Sequence, residues 1–158
     1  MVTYLIADTC VLADILKQYD PLSPYKCYRK SKFLSIEMIK YINKVVSEDD
    51  GGYIISSVFA FIELINKFDT IFKDSKVTIE RLKSFISQPP HWCIIENINL
   101  NTAKQFCNVP TRTSRGESIS ADDSVHIATA LQRGDPLYFL TSDSKLLDLD
   151  IKNITFVA

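Results

Sequence analysis

Five short runs of this chain are almost continuously apolar, and none of them alternates. They are TYLIA at 3–7, YIIS at 53–56, WCII at 92–95, LYFLT at 137–141 and ITFVA at 154–158. A strand with one face in water alternates apolar and polar residues, whereas a strand covered on both faces does not. Coverage of both faces calls for helices, and the intervening sequence supplies them. Residues 32–48 carry an apolar stripe of Phe33, Ile36, Ile39, Tyr41, Ile42, Val45 and Val46. Helical patterns also run over 58–68, 78–86, 100–107 and 121–133, and TCVLADIL follows the first strand. The helix at 121–133 has Ser120 before it as an N-cap and Gly134 after it as a stop. Strands alternating with helices predict an α/β domain with a central, mainly parallel sheet of about five strands flanked by helices.

With 158 residues the chain suits one domain over 1–158, and its net charge of −1 advertises no global attraction to nucleic acid. A basic site must then be local. Two polar loops offer one: Tyr19–Ser31 leads into Lys32 and holds Lys26, Arg29 and Lys30, and Asn108–Ile119 holds Arg112 and Arg115. Structureless segments of this length tend to be functional or mobile. The N-terminus lacks a basic leader region, and no long uncharged apolar stretch suggests a membrane span, which predicts a cytoplasmic protein without membrane contact. Cys10, Cys27, Cys93 and Cys107 form no C-x-x-C pair, and His91 and His126 add no zinc spacing. They read as buried or half-buried thiols in a reducing compartment.

Four of the 19 acidic residues stand apart by position. Asp8 directly follows the first strand, and Asp143 lies just past LYFLT. Glu63 interrupts the apolar segment SSVFAFIELINKF within the helix after YIIS. Asp123, beside Asp122, opens the helix that leads into LYFLT. In a parallel α/β sheet these positions gather at the carboxyl edge of the strands, where such folds bind ligands. Structural roles are open to each of them: Asp8 and Asp143 as N-caps, Asp123 as a complement to a helix dipole, Glu63 on an outward face. Together, four carboxylates at one rim would repel each other unless a cation joined them. Oxygen donors without nearby Cys or His favour Mg²⁺ or Mn²⁺ over zinc, and the implied chemistry is phosphodiester hydrolysis.

The stretches LIADTCVL, SSVFAFIEL, ISADDSVHIATAL and FLTSDSKLL resemble, in order, the four acidic motifs of the PIN-domain nucleases, whose small members include VapC-like toxin ribonucleases. The resemblance runs along essentially the whole chain. It implies a three-layer PIN-like fold and metal-binding, catalytic acids at Asp8, Glu63, Asp123 and Asp143. Thr141 and Asp122 would support them. It implies Mg²⁺- or Mn²⁺-dependent endoribonuclease activity on RNA, and extends to a toxin paired with a small antitoxin protein and to a homodimer. Lys26, Arg29, Lys30, Lys32, Arg112 and Arg115 are then candidates to grip RNA phosphates, against the alternative of solvated loop charge. Tyr19–Ser31 is longer than its counterpart in many compact toxins.

A non-catalytic PIN-like module that binds RNA or protein is the competing reading; a missing acid would favour it, and all four positions are filled. A receiver domain would need an acid after its middle strand and a Lys after its last. A haloacid-dehalogenase-type phosphatase would need Asp-x-Asp after the first strand, where this chain has Asp8-Thr9-Cys10. Both fit poorly.

Overall fold

All five apolar runs form strands. The computed structural model describes residues 2–23, 26–47 and 51–158. Its strands are β1 (Thr3–Ala7), β2 (Gly52–Ser57), β3 (Cys93–Glu96), β4 (Leu137–Leu140) and β5 (Ile154–Val157). They pair in the order β3-β2-β1-β4-β5, and every pair is parallel. The helices are α1 (Thr9–Gln18), α2 (Ile36–Ser47), α3 (Val58–Asn66), α4 (Phe68–Ile71), α5 (Ile79–Ser87), α6 (Leu100–Gln105) and α7 (Ala121–Arg133).

Strand pleating divides the core into two halves. Leu5, Ala7, Ile54 and Leu140 face one side and pack with Val11 and Ile15 of α1, Met38 and Ile42 of α2, Phe61 and Leu64 of α3, and Phe85 of α5. Ile6, Ile55, Leu137 and Phe139 face the other and pack with Ile127, Ala128 and Ala130 of α7. The result is the three-layer α/β arrangement, and it accounts for strands that do not alternate. Leu5, Ile6, Ile54, Ile55, Phe139 and Leu140 are fully buried, each contributing about 1.5–3 kcal/mol of apolar burial. Two glycines are required by backbone shape. Gly52 has φ 142°, and a Cβ there would meet the Thr3 carbonyl oxygen at 1.8 Å. Gly134 ends α7 in the left-handed region at φ 77°.

Element ends depart from the sequence reading in instructive ways. The helix expected over 32–48 begins at Ile36, with the Ser35 hydroxyl accepting the Met38 N–H at 3.2 Å. Ser31 and Phe33 are instead committed to the buried Asp14, whose Oδ2 accepts the Ser31 hydroxyl at 2.6 Å and the Phe33 N–H at 2.7 Å. Ile36 is therefore exposed, and Met38 takes the core position. Glu48, at the far end of that reading, lies outside the described residues. The segment expected as one helix over 58–68 is α3 followed by α4, interrupted at Lys67. Residues 100–107 form α6 and then a 3-10 turn over Phe106–Asn108.

Both polar loops are irregular yet pinned. In 19–31, of which Pro24 and Tyr25 are not described, Tyr28 is buried and meets Trp92 edge-on, with ring centroids 6.3 Å apart. Tyr19 meets Trp92 at 5.9 Å, and such pairs add about 0.5–1.5 kcal/mol each. In 108–119, Arg112 and Ser118 form an antiparallel bridge. The cysteines differ from expectation: only Cys93 is buried, while Cys10, Cys27 and Cys107 are exposed, and all four are free. Burial pushes the Cys93 thiol up to about 12. Among the described residues no helix is long and apolar enough to cross a membrane.

Candidate functional site

The chain runs outward from β1 to β2 and β3, then returns to the opposite side of β1 with β4 and β5. The carboxyl ends of β1 and β4 therefore form the switch point at which open α/β sheets hold ligands. Asp8 and Asp143 follow these two strands, and the Asp8 N–H donates to the Leu140 carbonyl at 3.0 Å, closing the seam between them.

Asp8 is 5% exposed, and its N-cap role is present while its second oxygen takes other protein donors. Oδ1 caps α1 by accepting the Val11 N–H at 2.9 Å. Oδ2 accepts from the Ser142 N–H at 2.6 Å, the Ser142 hydroxyl at 2.9 Å and the Thr141 hydroxyl at 3.3 Å. Thr141 also accepts the Asp143 N–H at 3.0 Å, so one hydroxyl sets both acids. Asp143 caps the following 3-10 turn, Ser144–Asp148, through the Lys145 N–H, and its Oδ2 lies 3.3 Å from Lys145 Nζ.

Asp123 enters this corner from the first turn of α7. That helix precedes β4 and runs antiparallel to it, so it starts at the carboxyl edge. The Ser120 hydroxyl accepts the Asp123 N–H at 3.1 Å and caps the helix. Burial raises the Asp123 carboxyl above the ordinary aspartate value; the charges of Asp8 and Asp143 push the same way, opposed by the Ser120 hydroxyl and by Lys145. Asp8 and Asp143, from two other segments, thus act on Asp123 through their charges.

Glu63 faces the same edge but touches different partners. Thr9 donates its hydroxyl to Glu63 Oε1 at 2.6 Å, and His126 Nε2 lies 3.2 Å from the Thr9 oxygen. Burial raises the Glu63 carboxyl, and neighbouring Asp122 raises it further, against the Thr9 hydrogen bond and Lys67. Burial lowers His126 below the ordinary imidazole value despite the nearby charges of Asp8 and Asp122. A neutral imidazole has one N–H. Since the single Thr9 hydrogen goes to Glu63, that N–H is on Nε2, which leaves the buried Nδ1 without a partner among the described residues. The five acids divide into Asp8, Asp123 and Asp143 on one side and Glu63 with Asp122 on the other, joined through Thr9.

The surroundings of Glu63 also differ from the sequence reading. Ala60, Phe61 and Leu64 are buried, but Ile62 and Ile65 are exposed, so the apolar neighbours do not all pack against the sheet.

The all-oxygen donor set at this corner is of the chemical kind a hard divalent cation takes, and the charges of Asp8 and Asp143 on Asp123 are offset in part by Lys145. The carboxylates are nevertheless held by protein donors, and among the described residues no three His, Cys, Asp or Glu side chains stand close enough to enclose an ion.

The predicted phosphate-gripping residues separate. Lys30 and Lys32 line a cavity of about 220 Å³ together with Thr141 and Ser142, beside the acids. Lys26 is exposed on the pinned loop. Arg29 has both its N–H and its carbonyl bonded to the Gln18 amide at 2.8 Å. Arg112 donates to the Gly116 carbonyl at 2.8 Å, and Arg115 pairs with Asp148 at 3.4 Å, so both brace the second loop.

Sequence reasoning missed Thr9, His126, Ser142 and Lys145. Each lies within three residues of a motif acid, and that closeness was the available signal. Compared with known proteins, the chain matches no family model, no curated protein and no solved structure.

Proposed function

We propose that the chain is a Mg²⁺- or Mn²⁺-dependent endoribonuclease of the PIN-like kind. One observation carries the reading: Asp123 is buried at a strand switch point against Asp8 and Asp143, an arrangement that disfavours the charged fold unless a cation balances it. Asp8, Asp123 and Asp143 would hold the ion, with Glu63 and Asp122 extending the set. Such an ion supplies charge neutralisation at the phosphoryl group and lowers the pKa of a water. Thr141 and Ser142 aim the Asp8 carboxylate. Thr9 aims Glu63, and Lys30 and Lys32 stand where substrate phosphates would pass.

The same reading extends to a toxin held by a small antitoxin, and to a homodimer. Exposed Ile62 and Ile65 on α3 are the apolar surface a protein partner would cover.

Lys145 favours a second reading, a non-catalytic RNA- or protein-binding module, because its ammonium already lies beside Asp143. The deciding experiment is Mn²⁺ titration by calorimetry and by melting, together with cleavage of an unstructured RNA. The nuclease reading expects binding, a raised melting temperature and metal-dependent scission. A melt unmoved by Mn²⁺ and RNA left intact would overturn the nuclease reading in favour of the module.

A further inference from the structure

A second cavity, of about 330 Å³, runs along the outer face of α1. Cys10, Ala13 and Lys17 line it at helical spacing; Lys32 comes from the pinned loop, and Lys73 and Asp74 from the segment after α4. Exposed Cys10, two residues after Asp8, is one of its lining residues. From Cys10 to Lys17 the face extends about 10 Å along the helix.

The basic residues are held there by a buried charge. Asp14 is 3% exposed, and its Oδ2 fixes Ser31 and Phe33, the residues on either side of Lys32. Its Oδ1 lies 3.5 Å from Lys17 Nζ. One internal carboxylate therefore sets the position of two lysines at the cavity wall. Removing a buried carboxylate's partners is costly, so this geometry is enforced by folding. Lys32 and Lys73 are in none of the ion pairs among the described residues. Lys32 and Phe33 also line the cavity shared with Thr141 and Ser142, the residues that bind Asp8, which makes the two hollows neighbours across Lys32 and Phe33.

We propose that the α1 cavity is a phosphodiester subsite that takes the RNA backbone on one side of the scissile bond, with Lys17, Lys32 and Lys73 on its phosphates. The inference rests on the ribonuclease reading and adds the direction in which the strand leaves the acids. Ala13, 3% exposed, forms part of the floor. Asp74 is the one acid on the wall and weakens the site.

The test is fluorescence anisotropy with a labelled single-stranded RNA in EDTA, where binding is read without cleavage. Each lysine that meets a phosphate contributes about 0.7 to the slope of log affinity against log salt. Lys32→Gln with Lys73→Gln, which leaves the Asp14–Lys17 pair intact, should lower the slope by about 1.4 and weaken binding roughly tenfold at low salt. Adding Lys17→Gln should take the slope change to about 2. Asp74→Asn should tighten binding, and Lys83→Gln on α5 should leave it unchanged. In cleavage the lysine variants should raise KM and spare kcat. If the wild-type chain binds and cleaves RNA and the double and triple variants match it in affinity and slope, the subsite is wrong and the ribonuclease reading stands. If the wild-type chain neither binds nor cleaves RNA, that reading falls and the subsite with it.

Discussion

Thr9 donates its hydroxyl hydrogen to Glu63 at 2.6 Å, and this bond ties the start of α1 to the middle of α3. It also explains how a carboxylate stands in the apolar segment SSVFAFIELINKF. Glu63 turns toward the strand edge, and a hydroxyl offsets part of its desolvation.

Thr9→Val keeps the shape and removes that donor, leaving Glu63 with Asp122 alone and His126 Nε2 without its Thr9 contact. RNA cleavage should fall about 10–100-fold, the usual cost of losing a group that orients a metal-site ligand. Stability should drop by about 1–3 kcal/mol. Thr9→Ser should restore both. Single-turnover cleavage and thermal melting measure the two effects. Wild-type cleavage in Thr9→Val would separate Glu63 from the chemistry.

Asp8→Asn and Asp143→Asn should both abolish metal-stimulated cleavage, and the structure separates their effects on folding. Asp143 caps a 3-10 turn, and asparagine caps as well as aspartate, so Asp143→Asn should fold with wild-type stability. Asp8 accepts four hydrogen bonds on its two oxygens. An amide nitrogen in either position would oppose a donor, and Asp8→Asn should lose about 1–3 kcal/mol as well as activity. Melting curves of the pair, beside cleavage assays, test the distinction. Full activity in Asp143→Asn would remove it from the metal set.

Asp123 makes stability depend on pH. Its carboxyl is raised above the ordinary 3.8, first by burial and then by Asp8 and Asp143. The folded chain therefore holds the proton more tightly than the unfolded chain. Stability from this group is present below 3.8 and is lost as pH rises through the raised folded value. Asp123→Asn removes the loss. At pH 7 without divalent ions it should melt about 2–4 °C higher than wild type, the effect of ~1 kcal/mol in a chain of this size, and the gain should vanish near pH 3. Millimolar Mn²⁺ should raise the wild-type melt and not that of the variant. An Asp123→Asn chain that melts below wild type at pH 7 would contradict the proposed repulsion.

The arrangement of layers was legible because parallel strands are buried on both faces and show it as unbroken apolar runs. Ser120 and Gly134 bounded α7 correctly for the same kind of local reason: a side-chain cap and a left-handed glycine. The start of α2 was not legible, because Asp14, distant in sequence, takes the Ser31 hydroxyl and the Phe33 N–H. The acids followed from position relative to strands. Their division did not, since it depends on which of two adjacent α7 side chains turns toward Glu63. Arg112 and Arg115 looked like phosphate ligands because their partners, the Gly116 carbonyl and Asp148, are set by a loop whose path the sequence leaves open.

Lys145 occupies the place where a cation would be most useful. Its ammonium is 3.3 Å from Asp143 Oδ2, and its charge also reaches Asp123. A divalent ion must share these carboxylates with it or displace it. Lys145→Met keeps the stem and removes the charge, so two effects oppose each other: the carboxylates repel more strongly, and the ion meets no competitor. Without metal the variant should be less stable than wild type. With metal it should bind Mn²⁺ about 3–10-fold more tightly, since a like charge at this distance from a partly exposed site is worth on the order of 1 kcal/mol. Calorimetric Mn²⁺ titration reads the affinity directly, and melting in EDTA reads the destabilisation. Weaker Mn²⁺ binding in Lys145→Met would mean that the ammonium organises the acids for the ion instead of standing in its place.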